Sequence, residues 1–99
     1  MEHKIVWEIV EFCVLYQFLT NDYSGYDILI KMRTLFPDIN GGMFYSVLRK
    51  LHTKGFIEIY FNSHQEKKYK LTKIGESHLI ISINNWRHVK EIARKIGVD

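Results

Sequence analysis

A cluster of basic residues is the feature of this 99-residue sequence that could bind a ligand most directly. Residues 49–73 carry seven lysines and arginines against two glutamates, whereas residues 1–48 carry three basic residues against six acidic ones. Positive charge concentrated in one segment is typical of a surface that binds a polyanion such as nucleic acid. A solvated lysine-rich face has the same composition, so the elements that carry these residues must decide between the two.

The sequence gives little support for a catalytic or a metal-binding site. The five histidines include no pair at i, i+4, and no cysteine or carboxylate lies near one at ligand spacing, so we expect no metal site. Cys13, the single cysteine, lies in an apolar stretch and reads as a small core residue, and the sequence has no glycine-rich phosphate loop. We therefore expect a binding protein with no enzyme activity and no cofactor.

The cysteine count and the first residues of the sequence predict the cellular compartment. One cysteine cannot form an intrachain disulfide, and no charged-then-apolar leader precedes it, which predicts a reducing, cytoplasmic location. The most apolar stretch, from Ile5 to Leu19, is interrupted by Glu8 and Glu11 and is too short for a membrane span.

The first predicted helix runs from Lys4 to Leu19 and carries two apolar stripes. One consists of Ile5, Ile9, Phe12, Cys13, Tyr16 and Leu19, and the other of Trp7, Val10, Val14 and Phe18. A surface helix of a small domain needs only one apolar stripe. We assign the Trp7 stripe to a partner chain.

Two further helices are expected before a change of period. Ser24 and Asp27 resemble a capping box at the start of the second helix, and Pro37 ends it. After the segment Asp38–Gly42 the third helix runs to Gly55, with a core face of Phe44, Val47, Leu48 and Leu51.

Alternation with a period of two then predicts a hairpin of strands Phe56–Phe61 and Lys67–Leu71. Thr72 caps a long last helix that ends at Gly97.

Three helices followed by a hairpin indicate an α+β, mainly α fold, the winged helix-turn-helix. We assign residues 1–71 to DNA binding and residues 72–99 to a dimerisation helix, within one structural domain.

In this fold the third helix enters the major groove of DNA and the hairpin, or wing, reaches the adjoining backbone. Arginine can pair with guanine or phosphate, hydroxyls can reach base edges, and a glycine at the helix start admits a phosphate to the backbone. The lysines of the hairpin could instead protect an exposed edge strand against aggregation. The predicted DNA contacts are Gly42, Tyr45, Ser46, Arg49, Lys50 and Thr53 on the helix and His64, Lys67, Lys68 and Lys70 on the hairpin.

From about Val10 to Ile96 the sequence resembles the PadR-like winged-helix transcriptional regulators. Ser24-Gly25-Tyr26-Asp27-Ile28 is similar to the family's His-Gly-Tyr-Glu-Ile segment, and residues 42–51 to its Gly-Thr-Leu-Tyr-Pro-x-Leu-x-Arg-Leu segment. Residues 55–57, 67–69 and 71–75 complete five matches in family order. Met43 and Ser46 stand where the family usually has Thr and Pro.

The resemblance implies a homodimeric DNA-binding repressor whose last helix packs on the first helix of the other subunit. It also implies that Trp86 lies at the dimer interface, where a planar aromatic effector could stack. The length of the last helix independently predicts a partner, because one small domain cannot cover it. The expected interface consists of Trp7, Val10, Val14, Phe18, Leu79, Ile83, Trp86, Val89, Ala93 and Ile96.

A two-fold dimer would place its third helices about 34 Å apart, so the expected target is double-stranded DNA with an inverted repeat. Two alternatives stay open at this point. A centromere-binding partition adaptor of a plasmid or phage would share the size and the winged-helix plan. A protein-interaction module on the same scaffold would not need the excess charge of residues 49–73.

Overall fold

The computed structural model describes residues 6–98 of the chain. Its elements are, in order, α1 (Trp7–Gln17), α2 (Gly25–Leu35), α3 (Gly41–Thr53), β1 (Ile57–Phe61), β2 (Lys67–Leu71) and α4 (Lys73–Ile96). This order and the antiparallel pairing of β1 with β2 confirm the predicted winged helix-turn-helix fold with a long last helix. The expected start of the first helix at Lys4 and Ile5 lies outside the described residues.

Side-chain caps set where three helices begin. Ser24 Oγ accepts a hydrogen bond from the Asp27 amide at 3.1 Å, and Asn40 Oδ1 accepts one from the Met43 amide at 3.1 Å. Thr72 Oγ1 accepts one from the Gly75 amide at 3.0 Å. Each cap pairs an amide that the first helical turn leaves without an intrahelical partner. The expected starts at Ser24 and Thr72 are confirmed.

The end of α3 explains why β1 begins one residue later than predicted. The Gly55 amide donates to the His52 carbonyl and the Phe56 amide to the Leu51 carbonyl, both at 3.0 Å. Gly55 has a φ of 78°, the left-handed conformation that glycine adopts without strain. This bond pattern is a Schellman motif, so Phe56 still belongs to the helix terminus.

The core contradicts our assignment of the two stripes of α1. Val10 and Val14 are 0% exposed and Phe18 is 3% exposed, because these side chains pack inside their own domain. Leu79, also expected at the dimer interface, is 0% exposed. The expectation that these four side chains contact a partner is therefore wrong. The other stripe faces outward, with Tyr16 and Leu19 exposed and Cys13 half-buried.

The two-stranded sheet is attached to the turn between α1 and α2. The Tyr69 amide donates to the Tyr23 carbonyl at 2.8 Å, and the Tyr23 amide donates back at 3.3 Å. The Tyr60 hydroxyl donates to Asp22 Oδ2 at 2.6 Å, and this hydrogen bond raises the pKa of Tyr60. The hairpin is thus held along β2 as well as at its base.

Asn62 organises the tip of the hairpin. Its Oδ1 accepts hydrogen bonds from the amides of His64 and Glu66 at 2.9 and 3.0 Å. The turn closes where the Gln65 amide donates to the Asn62 carbonyl, and Gln65 there has a φ of 62°.

Among the helices of residues 6–98, none has the length and apolar character that a membrane span requires.

The left-handed backbone at Gln65 predicts a stabilising substitution. Replacing Gln65 with glycine removes the steric cost of a side chain at positive φ, about 1 kcal/mol. We expect Gln65→Gly to raise the free energy of unfolding by up to that amount in urea denaturation. Ser63→Gly, in the same turn but without positive φ, is the control, and equal effects of the two changes would contradict the interpretation.

Gly75 predicts a destabilising substitution. A Cβ at this position would overlap the carbonyl oxygen of Phe56, a backbone atom that also accepts the Thr72 amide. Relieving such a clash requires α4 to move from the hairpin, so we expect Gly75→Ala to cost at least about 2 kcal/mol. Thermal unfolding followed by circular dichroism measures this loss. Gly41→Ala, whose Cβ would meet no atom closer than 3.7 Å, should leave the melting temperature unchanged or higher.

Candidate nucleic-acid interface

One face of α3 is buried and the opposite face is open. Phe44, Val47, Leu48 and Leu51 are between 0% and 7% exposed, which confirms the predicted core face. The open face carries Gly42, Ser46, Arg49 and Thr53, all exposed. The structure thus places four of the six predicted contacts of this helix in one row at i, i+4, i+7 and i+11.

Two hydrogen bonds organise this row. Ser46 Oγ donates to the Gly42 carbonyl at 3.1 Å, and Arg49 Nη2 donates to Ser46 Oγ at 3.2 Å. The guanidinium is therefore held along the helix surface by one of its nitrogens. Among residues 6–98, no carboxylate forms an ion pair with Arg49. A guanidinium placed in this way can meet a base edge or a phosphate with its remaining donors.

Tyr45 lies at the edge of α3 that faces α2. Its ring contacts Gly25 so closely that a Cβ there would lie 2.8 Å from Tyr45 Cε1. The ring also meets Phe44 edge to face, with centroids 5.6 Å apart. Gly25 therefore makes room for Tyr45, a role that sequence reasoning missed.

Two of the predicted lysines are engaged elsewhere. Lys50 Nζ lies 2.6 Å from Glu11 Oε1 on α1, and this hydrogen bond raises the pKa of Lys50. Lys70 Nζ lies 3.2 Å from Glu58 Oε1, its partner across the hairpin. The structure does not bring Lys50 or Lys70 together with the open row of α3.

The hairpin separates its remaining basic residues by face. Tyr69, 8% exposed, points toward α3, and Lys67 shares that side because strand residues alternate. Lys68 lies on the opposite side with Lys70 and Glu58, while His64 is exposed at the tip. Lys67 is therefore the wing residue that lies beside α3, whereas Lys68, also predicted as a DNA contact, lies on the face that points away from it.

His52 is a site residue that the sequence reading did not select. It lines a cavity of about 340 Å³ between α3 and the hairpin, together with Tyr45, Arg49, Lys67 and Tyr69. The available signal was spacing, since Tyr45, Arg49 and His52 follow one another at i, i+4 and i+7 on the helix.

A second cavity, of about 380 Å³, lies between α1 and α4 and contains Trp86. The indole is 36% exposed, and its ring centroid lies 5.9 Å from that of Phe12. Phe56 and His78 stack in the same cavity with centroids 4.3 Å apart, and Glu8 and Glu11 line its edge. Lys54 also lines this cavity, so its aromatic lining is accompanied by charges of both signs.

Comparison with known proteins identifies the fold. No family model and no curated protein matches the sequence. Among solved structures, a PadR family transcription regulator from Clostridium difficile has a TM-score of 0.79 at 24% identity, covering 88% of this chain and 96% of its own. A PadR-like transcriptional regulator from Bacillus cereus has a TM-score of 0.81 at 22% identity, covering 91% and 92%. The fold is that of the PadR-like regulators.

A third similar structure is PadR from Bacillus subtilis in complex with operator DNA. Its TM-score is 0.65 at 23% identity, and the alignment covers 76% of this chain and 46% of that protein. The first two of these proteins are transcription regulators, and the third is bound to operator DNA.

The segments that carried the resemblance to PadR-like proteins have structural roles here. Gly25 accommodates Tyr45, Ser24 caps α2, Gly55 ends α3, and Thr72 and Gly75 join α4 to the hairpin. These residues therefore hold the fold, while the side chains of Ser46 and Arg49 on the open row bond only within their own helix among the described residues.

Proposed function

We propose that this chain is a dimeric, sequence-specific DNA-binding transcription regulator that acts as a repressor at an inverted-repeat operator. The observation that carries the proposal is the open row of α3, exposed and followed directly by a wing. The operator complex of the similar Bacillus subtilis protein supports DNA as the ligand. Such a regulator would act in the cytoplasm.

The open row supplies the chemistry of base recognition. Arg49 recognises a base, because its guanidinium can donate two hydrogen bonds to a guanine. Ser46 and Thr53 can reach neighbouring base edges or phosphates. Gly42 lets the duplex backbone approach the start of the helix. His64 and Lys67 of the wing add phosphate contacts, which hold the protein on the duplex without reading sequence.

The second half of α4 supports a partner chain. The helix has 24 residues and is about 36 Å long, yet its buried residues are Gly75 and Leu79, in the first two turns. Farther along, Val89, Ile92 and Ile96 are 53%, 45% and 73% exposed. Exposed aliphatic side chains in a row along a protruding helix are typical of an oligomer interface.

The proposed interface differs from the expected one on α1. The outward stripe with Ile9, Cys13, Tyr16 and Leu19 replaces Val10, Val14 and Phe18 as the surface on which the partner's α4 packs. On α4 the expected residues Ile83, Trp86, Val89, Ala93 and Ile96 remain in the proposal, and on α1 so does the half-buried Trp7. Residues 1–71 then bind DNA and residues 72–99 join the subunits.

The cavity that contains Trp86 lies beside this interface. We propose that it admits a planar aromatic effector, which stacks on the indole and alters the separation of the two α3 helices. Phe12 and Phe56 supply the apolar walls that such a molecule requires.

The role of Arg49 predicts a selective loss of specificity. On operator fragments selected from a random library, Arg49→Ala should cost about 1 to 3 kcal/mol and relax the base preference at one position of each half-site. Binding to random duplex should change little by comparison. Arg87→Ala on α4 is the matched control and should keep the wild-type affinity. Equal losses for Arg49→Ala on selected and random DNA would contradict base reading.

The role of α4 predicts that two charges on its outer face separate the subunits. We expect the double variant Val89→Glu and Ile96→Glu to be monomeric by light scattering at micromolar concentration, because it buries two carboxylates in the interface. The double variant Ile30→Glu and Leu35→Glu on α2, at 42% and 55% exposed positions, should remain dimeric. A monomeric wild-type protein would overturn the proposed dimer.

A further inference from the structure

The cavity between α3 and the hairpin has apolar walls and a basic rim. Leu48 and Tyr69, 1% and 8% exposed, form its floor, and the exposed Arg49, His52 and Lys67 stand around its opening. We call this cavity the phosphate notch. Its walls are fixed on both sides, since α3 is packed into the core and β2 is paired with both β1 and Tyr23.

In the described part of the chain, ion pairs engage two basic residues beside the notch but none of the basic residues that line it. On α3, Lys50 turns to α1 and is neutralised by Glu11, while Arg49 and His52 face the hairpin. On β2, Lys70 is neutralised by Glu58 on the outer side, while Lys67 faces α3 and lies 5.5 Å from the Tyr69 ring centroid. No ion pair formed within residues 6–98 involves Arg49, His52 or Lys67.

The lining of the notch fits a phosphate group. Its rim offers hydrogen-bond donors from a guanidinium, an imidazole and an ammonium group, and none of the residues that line it is acidic. Two cations, Arg49 and Lys67, that converge without a carboxylate attract an anion, and phosphate oxygens can accept hydrogen bonds from both of them and from an N–H of the His52 ring.

We propose that the phosphate notch holds one phosphodiester group of the DNA backbone, with His52 and Lys67 as its contacts on opposite walls. The inference rests on the proposed function and adds His52 to the DNA-binding residues. The notch adjoins the open row of α3 through Arg49, so the bound phosphate would flank the base pairs that this row reads. A duplex, rather than a free phosphate ion or a small phosphorylated molecule, is therefore the occupant.

Adjacent lysines on β2 provide the test. Binding of the full chain to a random-sequence duplex of about 20 base pairs is measured over a range of salt concentrations. Lys67→Gln should lower the slope of log K against log salt by about one, because one phosphate contact is lost. Lys68→Gln, which removes the same charge from the opposite side of the strand, should leave the slope unchanged. Equal changes of slope for the two variants would show that a positive charge on either face of the wing contributes equally to DNA binding. That result would contradict the proposed phosphate notch.

His52 provides a direct readout of occupancy. Its ring signals in NMR spectra should shift when duplex is added, and those of His88, on α4, should not. Inorganic phosphate at the same total phosphate concentration should leave both unmoved; if it shifts His52 as strongly as duplex, the occupant is a free phosphate and the proposal is wrong. His52→Gln should weaken duplex binding about tenfold, whereas His88→Gln should not.

The outcomes separate this inference from the function on which it rests. Failure of the wild-type chain to bind any duplex at low salt would remove the proposed function and the notch together. Duplex binding with unshifted His52 signals and an unchanged slope for Lys67→Gln would remove the notch alone. Thermal melts of each variant show whether it is folded before its binding is compared.

Discussion

The junction between Gly55, Phe56, Thr72 and Gly75 is the constraint on which the arrangement of the domain depends. The Thr72 amide donates to the Phe56 carbonyl at 3.0 Å, and its hydroxyl donates to the Gly55 carbonyl at 2.5 Å while accepting the Gly75 amide. The end of α3, both ends of the hairpin and the start of α4 meet at these atoms. The angle between α3 and the hairpin, and the direction in which α4 leaves the domain, are therefore set together.

The sequence predicted the buried face of an element correctly where its apolar residues followed a single periodicity. The 3.6-residue period of Phe44, Val47, Leu48 and Leu51 and the two-residue period of the hairpin each allow a single buried face. The prediction failed on α1 because both stripes of that helix are apolar, and a helical wheel does not show which stripe the rest of the domain covers. Tertiary packing decides this, and it placed Val10 and Val14 inside.

The site was predictable in position but not in detail. Spacing located the open row of α3, yet the lysines near it depend on distant partners for their availability. Glu58 and Lys70 pair because the hairpin register places them opposite each other, which could have been derived from the turn length. The pairing of Lys50 with Glu11 could not, since it joins two helices whose relative orientation is tertiary. Ion pairing thus decides which of several similar cations remain available for a ligand.

The fold and the choice of DNA sequence depend on different residues. Gly25, Gly55 and Gly75 are constrained by a close ring contact, a positive φ and a close backbone contact, and a change at any of them alters the domain. Ser46 and Arg49, by contrast, bond only to each other and to the backbone of their own helix turn within the part of the chain that is described. They can change without a cost to the core. The PadR-like scaffold therefore does not fix the side chains of the open row, and the ligand of that row must be found by experiment on this chain.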